Sequence, residues 1–221
     1  MKLTSSLFQE CIMIESDKVT SLIIENQKLF LKILQELYSV TNGAEGDIIL
    51  SENHTIIKAS GMIELITTFV PFDINEKRLI SKINTILERE ALNEMHYMET
   101  MNLLSMIEMY MGELSDILPC IIDYKSINIT TLIKMCGIEI TDDSSSLIEK
   151  VFNYMMLVRE LLGERLFIFV NMATYFPIEE LQSFIETAVV HKFYVLLLDG
   201  NIHDRLEGTV SIIIDQDLCY I

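Results

Sequence analysis

The stretch from Arg165 to Asp199 constrains the fold of this chain more than any other. It contains two short apolar runs, Leu166–Val170 and Phe193–Leu198, which are rich in β-branched and aromatic residues and do not alternate polar with apolar positions. Strands with this composition are typical of parallel sheets covered by helices on both faces. Between the runs, an apolar stripe at helical spacing follows Pro177: Ile178, Leu181, Phe184, Ile185 and Val189. The stretch therefore predicts a right-handed βαβ crossover.

Strand-like segments lie near both ends of the chain. They are a short one around residues 11–14, one at 19–24, a hairpin with arms at 47–50 and 55–58, and one at 210–214, with a further short strand possible at 219–221. A helix over 27–39 follows the second strand, and Asn26 is its predicted N-cap. These segments predict an α/β head domain built from residues 1–59 and 164–221.

Helical patterns fill the middle of the chain. We predict helices over 62–70, 76–93, 94–118, 130–136 and 145–162, with a brief strand at 138–140. Pro71 and Pro119 end the first and third of these helices, and Gly137 and Gly163 end the last two. The range 60–163 is therefore predicted to be an all-helical domain inserted into the head.

Composition limits the possible partners. The net charge of -17 argues against nonspecific nucleic-acid binding by the surface as a whole, although it leaves room for a local basic patch. No apolar run approaches the roughly 18 residues that a membrane span needs, and the N-terminus does not read as a signal peptide. The four cysteines, at 11, 120, 136 and 219, have no CxxC spacing and are predicted to be buried thiols. The sequence thus predicts a cytoplasmic protein with no membrane partner.

An α/β head raises the possibility of nucleotide binding, but the required motifs are missing. A phosphate-binding loop needs glycines and a lysine between a strand and a helix. The segment Glu25–Lys28 contains no glycine, while Gly43–Asp47 has two but lacks a lysine and carries two acids. At the end of the Leu166–Val170 strand, where an ATPase usually places a magnesium-binding acid, the chain has Asn171. We predict that the protein binds no nucleotide and is not an enzyme.

No hydrolase signature is present either. The four histidines are widely separated, and no cysteine has an evident histidine partner. His203 and Asp204 are adjacent and could form an acid/base pair, but a solvated loop is the favoured interpretation.

Charge is distributed unevenly in the helical range. Residues 91–120 contain five acids and no Lys or Arg, together with a methionine-rich stripe over 95–109. At helical spacing, packing in a core or a subunit contact is favoured over an adaptable face for other partners. Four cations precede this range: Lys77, Arg78, Lys82 and Arg89. Spacings of 4 and 7 place the last three on one helical side, which is either a solvated face paired locally to Glu88 or Glu90, or a phosphate-contacting stripe.

An ordered set of hydrophobic segments carries a family resemblance. Residues 131–140, 147–150 and 165–171 read Thr-Leu-Ile-Lys-Met-Cys-Gly-Ile-Glu-Ile, Leu-Ile-Glu-Lys and Arg-Leu-Phe-Ile-Phe-Val-Asn. With Phe72–Asn75 and Val195–Leu198, in this order and at this spacing over most of the chain, they resemble the Csn-type adaptation protein of type II-A CRISPR systems.

The resemblance implies a degenerate P-loop-ATPase-like α/β head with a helical leg and no working phosphate loop. It also implies a noncatalytic homotetrameric ring whose basic inner surface threads double-stranded DNA from free ends. Such a protein would act in spacer acquisition alongside the integrase subunits and the effector nuclease. A closed basic channel reconciles the net charge of -17 with DNA binding. The alternative from the residues alone is an intracellular protein-interaction scaffold that binds no DNA.

The resemblance also directs attention to site residues in the helical range. The candidates for DNA contact are its cations: Lys77, Arg78, Lys82, Arg89, Lys125 and Lys134. Calcium is the implied ion, and its candidate ligands are Glu113, Asp116 and Asp123, since this hard cation needs several oxygen ligands. The chain departs from the family pattern at Asp123–Ser126, where a lysine lies in a segment that is usually acidic.

Overall fold

A computed structural model of the protein describes residues 1–123, 125–202 and 206–221. The chain divides into two compact units, one formed by Met1–Phe72 with Ser144–Ile221 and the other by Asp73–Asp143. We call them the head unit and the helical unit. The suggested pair His203–Asp204 lies outside the described residues. No helix within the described ranges is long and apolar enough to cross a membrane.

The strands and helices follow the expected α/β order. They are β1 (Lys2–Thr4), β2 (Ile12–Met13), β3 (Val19–Ile24), α1 (Gln27–Thr41), β4 (Ile49–Glu52), β5 (Thr55–Ile57), β6 (Ile63–Ile66), α2 (Lys77–Ala91), α3 (Tyr97–Ser115), α4 (Ile129–Met135), α5 (Leu147–Leu162), β7 (Leu166–Val170), α6 (Ile178–Val190), β8 (Tyr194–Asp199) and β9 (Thr209–Ile214). The helical unit is shorter than the inserted range 60–163, because β6 and α5 belong to the head unit.

A five-stranded parallel sheet forms the core of the head unit. Its strand order is β6-β7-β8-β3-β9, and the predicted βαβ crossover is its centre. Every residue of β7 is buried, as its uninterrupted apolar sequence predicts. In α1 the buried residues are Ile33, Leu37 and Val40, at the spacing of a stripe that faces a core. The α/β fold class predicted from the sequence is therefore confirmed.

The structure contradicts the helix predicted over 62–70. Residues Ile63–Ile66 form β6, an edge strand that pairs in parallel with β7. Within it, Glu64 is buried and its Oε1 lies 3.5 Å from Nε of Arg165. Arg165 also donates from its two Nη groups to the carbonyls of Gly61 and Leu162. This long-range pairing outweighs the local helical spacing of the apolar residues, a competition that a short segment cannot reveal by itself.

A second, antiparallel sheet has the order β2-β1-β4-β5. The predicted hairpin is present, but its arms are β4 and β5 and its turn is shorter, with only Asn53 and His54 between them, both at positive φ. This is the backbone of the two-residue turns that suit the twist of a hairpin. The strand expected at 138–140 is absent from the described residues, and at 219–221 only an isolated bridge joins Tyr220 to Ile214.

The four cysteines are exposed, so the prediction that they are buried is wrong. None lies within a strand or a helix; Cys136, for example, is the C-cap of α4. A thiol is buried only where a helix or strand packs it into a core. The four cysteines lie in surface segments that are not packed in this way.

Asp47 ties the N-terminal strand to the segment before β4. Its Oδ2 accepts hydrogen bonds from the hydroxyls of Ser5 and Ser6 and from the backbone N–H of Ser6. These bonds favour the ionised carboxyl, and those from Ser5 and Ser6 hydroxyls are the main reason that the pKa of Asp47 is lowered below its usual 3.8.

We therefore expect a pH-dependent effect of Asp47→Ala on the free energy of unfolding. Because the folded pKa is depressed, the contribution of Asp47 is complete above pH 3.8 and is lost as the pH falls through the lower folded value. Urea unfolding should show the variant as less stable at neutral pH, with the difference from wild type shrinking below pH 3.8. If the difference in unfolding free energy between wild type and variant stays constant with pH, the variant is destabilised by lost packing and not by the lost charge.

The helical unit is built on α2, α3 and α4. Asn128 caps α4 by accepting from the N–H of Thr131, and Gly137 takes a positive φ just beyond its C-terminus. The two ends of the unit are joined by Asn75, whose side chain donates to the carbonyl of Ile140 at 3.1 Å and accepts from its N–H at 2.7 Å. This side-chain pairing replaces the strand that the sequence predicted at 138–140.

Candidate nucleic-acid interface

Helix α2 carries four of the six predicted DNA-binding cations. Lys77 and Arg78 are its first two residues, and no acidic residue lies in this first turn. Cations at a helix N-terminus oppose the helix dipole and cost about 0.3–1 kcal/mol each. Helix stability therefore does not explain their position. The N-cap residue Glu76 offsets part of their positive charge, because it pairs with Arg78.

The four cations of α2 lie on two sides of the helix. With 3.6 residues per turn, Lys77 shares a side with Ser81, Asn84 and Glu88, while Arg78, Lys82 and Arg89 share another about 100° away. The first side faces α4. The sequence placed Arg78, Lys82 and Arg89 on one helical side and left Lys77 out of that group, and α2 has this arrangement.

A groove of about 430 Å³ lies between α2 and α4, entirely within the helical unit. Two predicted cations from different elements, Lys77 and Lys134, line it together. Within the part of the chain that the structure describes, neither lysine has an ion-pair partner, and both are exposed. Two exposed ammonium groups that line the same groove can bind an anion there.

Polar side chains complete this α2–α4 groove. It is lined in addition by Ser81, Asn84, Thr85, Glu88 and Thr130. The hydroxyl of Thr130 donates to Oε1 of Glu88, so the acid of the groove is held by α4. Oδ1 of Asn84 is a buried atom that has no hydrogen-bond partner among the described residues. These residues were not predicted from the sequence, although the spacing of Ser81, Asn84 and Glu88 on the Lys77 side of α2 was a usable signal.

The remaining cations are not part of the groove. Arg78 pairs with Glu76 at 2.6 Å, and Arg89 pairs with Glu90 at 3.4 Å, one of the local pairs expected from the sequence. Lys82 is exposed on the same side of α2, and Lys125 is exposed in the segment before α4. Of the six predicted residues, Lys77 and Lys134 thus line the groove, Arg78, Lys82 and Arg89 share another side of α2, and Lys125 lies apart in the segment before α4. Tyr124, beside Lys125, is outside the described residues.

The predicted calcium ligands are not brought together. Glu113 and Asp116 lie at the C-terminal end of α3, and Asp123 is exposed seven residues further along. In residues 1–123, 125–202 and 206–221, no three His, Cys, Asp or Glu side chains form a group that could hold a metal ion. Since calcium takes 6–8 oxygen ligands, this arrangement does not fit the ion.

Helix α3 presents a large apolar surface to solvent. Met98, Met106 and Met109 are 67%, 67% and 68% exposed. Other exposed apolar side chains on or just beyond the helix are Leu103, Tyr110, Leu114, Ile117 and Leu118. We call this set the α3 surface. A helix that is apolar around most of its circumference is normally buried, and an exposed patch of this kind marks an interaction site.

The junction between β3 and α1 has no room for a phosphate-binding loop. Only Glu25 and Asn26 lie between the two elements, and the side chain of Asn26 already accepts from the N–H of Leu29. The Nδ2 of Asn26 donates to the carbonyl of Gln216, whose own Nε2 donates to the carbonyl of Glu25. The junction is therefore closed by hydrogen bonds to the C-terminal segment.

Asn171 has a structural role at the end of β7. Its backbone is left-handed, with φ 52°, and its Oδ1 accepts from the N–H of Gly200 at 3.0 Å. Asn tolerates this conformation better than other residues with side chains. The side chain thus connects the carboxyl ends of β7 and β8.

We expect Asn171→Leu to lower the free energy of unfolding by about 2–3 kcal/mol. The left-handed conformation costs an ordinary residue roughly 1–2 kcal/mol, and loss of the hydrogen bond costs about 1 kcal/mol more. Urea unfolding measures the difference. Asn171→Asp, which keeps the acceptor and the tolerance for positive φ, serves as the control and should lose less than half as much. Equal losses would contradict the assigned role.

A family model described as CRISPR-associated protein (Cas_Csn2) matches residues 38–218. The chain belongs to the Csn2 family of CRISPR-associated proteins. The resemblance to the adaptation protein of type II-A systems is thereby confirmed at the level of the family.

Relatives within the Csn2 family are distant in sequence but similar in length. CRISPR-associated protein Csn2 of Streptococcus agalactiae is 23% identical over 205 residues, which cover 90% of this chain and 88% of that protein. CRISPR-associated protein Csn2 of Enterococcus faecalis is 24% identical over 224 residues, which cover 98% and 96%. The crystal structure of Stu0660 of Streptococcus thermophilus matches with a TM-score of 0.57 at 13% identity, over 96% of this chain and 74% of that one. This last similarity shows a shared fold.

Proposed function

We propose that this Csn2-family chain is a noncatalytic protein that assembles into a homotetrameric ring and binds the ends of double-stranded DNA during spacer acquisition. The observation that carries the proposal is the α2–α4 groove, where Lys77 and Lys134 converge without ion-pair partners among the described residues. In a chain of net charge -17, two lysines against the single acid Glu88 leave this groove with a local positive charge that attracts a polyanion, while the remaining surface repels it.

The proposed contacts are to the phosphate backbone. Lysine ammonium groups bind phosphates as point charges and carry no base-specific pattern. Lys82, Arg78 and Arg89 on the neighbouring side of α2 extend the positive surface, and Lys125 adds to it from the segment before α4. Binding through such groups is independent of sequence and weakens as salt rises.

The α3 surface supports the proposed self-association. Its methionines adapt to a facing surface better than branched side chains do. The acidic side chains beside it would repel those of a second copy unless they lie at the rim of the contact, which a symmetric arrangement allows. Four copies arranged around an axis would enclose a channel, so that DNA enters only from an end.

In this proposal the protein acts in the cytoplasm without a membrane partner, alongside the integrase subunits and the effector nuclease of its type II-A system. Two features support a noncatalytic role: the two-residue β3–α1 junction and the hydrogen-bonded Asn171 at the position of an ATPase acid. Its contribution would be to hold a DNA end while other subunits perform the chemistry.

The competing candidate is an intracellular scaffold that uses the α3 surface for other proteins and binds no DNA. The exposed methionines favour it as much as they favour self-association. Sedimentation of the purified chain, followed by gel retention of a linear duplex, separates the two. A particle several times 25.5 kDa that retains the duplex supports the ring. A monomer that retains none supports the scaffold.

A further inference from the structure

A side-chain hydrogen bond connects α2 to α4. On α4, the Thr130 hydroxyl donates to a carboxylate oxygen of Glu88 on α2, and both groups are partly buried. At the ends of the same unit, both hydrogen bonds between the Asn75 amide and the backbone of Ile140 are 3.1 Å or shorter. The backbone N–H of Asn75 is itself held by Oδ1 of Asp73 at 2.8 Å.

Carboxylates that could instead bind a cation are dispersed or already engaged. Glu113, Asp116 and Asp123 are exposed and belong to no group of three potential ligands among the described residues. Glu88 accepts a hydrogen bond from Thr130, which occupies part of its capacity as a ligand. Two residues after Asp123, Lys125 introduces a positive charge that disfavours a divalent cation at that segment.

We propose that the Glu88–Thr130 and Asn75–Ile140 hydrogen bonds hold the helical unit of this chain together in place of a resident calcium ion. The stability and the self-association of the chain are then insensitive to calcium. The inference departs from what the family resemblance implies. It does not rest on the proposed DNA binding, because its readouts are taken on the free protein.

The experiment compares the whole chain in millimolar calcium chloride and in EGTA. An ion that binds only the folded state must raise the unfolding temperature with its concentration. We expect no shift in unfolding temperature, the same sedimentation in both buffers, and less than about a tenth of a calcium ion per chain by elemental analysis after purification, as mass action requires when no site exists. A saturable rise in unfolding temperature, or close to one ion per chain, would overturn the proposal.

Two sets of variants test the residues themselves. Thr130→Val keeps the side-chain shape and removes the donor, so its unfolding temperature should fall equally in calcium and in EGTA. Glu94→Val, at an exposed position outside the contact, is the control and should fall less. The triple variant Glu113→Gln, Asp116→Asn, Asp123→Asn should show no calcium-dependent change relative to wild type. Rescue of Thr130→Val by calcium, or no loss of stability in it, contradicts the proposal. A chain that does not bind DNA would contradict the proposed function, but it would not contradict this proposal.

Discussion

Reversing the charge at both Lys77 and Lys134 lowers the affinity for a linear duplex by about tenfold to hundredfold. Both lysines line the α2–α4 groove, and an exposed cation next to a phosphate contributes about 1 kcal/mol. The slope of log affinity against log salt falls by about 1 for every phosphate contact removed. Fluorescence anisotropy with labelled duplex at several salt concentrations measures both quantities for Lys77→Glu with Lys134→Glu.

The matched control uses the head unit. Lys28→Glu with Lys32→Glu changes the net charge by the same amount at two exposed positions of α1. If the groove binds DNA, the affinity of the control variant for the duplex falls only by the small amount expected for any more negative chain. Equal losses in both double variants would mean that affinity follows net charge and not the groove. A third pair, Lys82→Glu with Arg89→Glu, reports how far the neighbouring side of α2 contributes.

We expect charged residues within the α3 surface to dissociate the proposed assembly into single chains. Met106→Lys with Met109→Lys places two ammonium groups one helical turn apart in a surface that we propose is buried between copies. An unpaired charge buried in an apolar contact costs several kcal/mol, which is enough to separate an association of micromolar strength. Sedimentation should show a particle of 25.5 kDa for the variant, in place of the larger assembly that we propose for the wild-type chain.

The control for this variant is Met13→Lys, which makes the same exchange at an exposed methionine of the head unit. It should retain the wild-type assembly. Unchanged sedimentation of the α3 variant would show that copies meet elsewhere. Dissociation should also weaken DNA binding, because several linked grooves bind one duplex more tightly than one groove does.

The head unit could be predicted well because its signals are local and strong. The apolar run Leu166–Val170, the stripe of α6 and the cap at Asn26 each predict one element, and all three are present. The strand β6 could not be predicted, because its conformation depends on pairing with a segment about 100 residues away. The exposure of the cysteines was also predicted wrongly. They were expected in a core, but they lie in exposed segments outside the helices and strands.

The site was only partly predictable. Charge and spacing identified the cations of α2, but periodicity alone could not show that α4 packs beside Lys77 and contributes Lys134 to the same groove. The acids Glu113, Asp116 and Asp123 were chosen because the family resemblance implies calcium in the helical range, and among the described residues they belong to no group of three potential metal ligands. The approach of two helices and the separation of three carboxylates are tertiary features that single-segment patterns do not contain.

The most direct test of the central claim compares binding to linear and to covalently closed circular duplex of the same sequence, at two salt concentrations. A ring threaded by DNA ends binds the linear form and not the closed form, and the higher salt weakens the binding. The account predicts this result from a particle several times the mass of one chain. Equal binding to both forms would contradict it, because it would place the phosphates on an open surface patch.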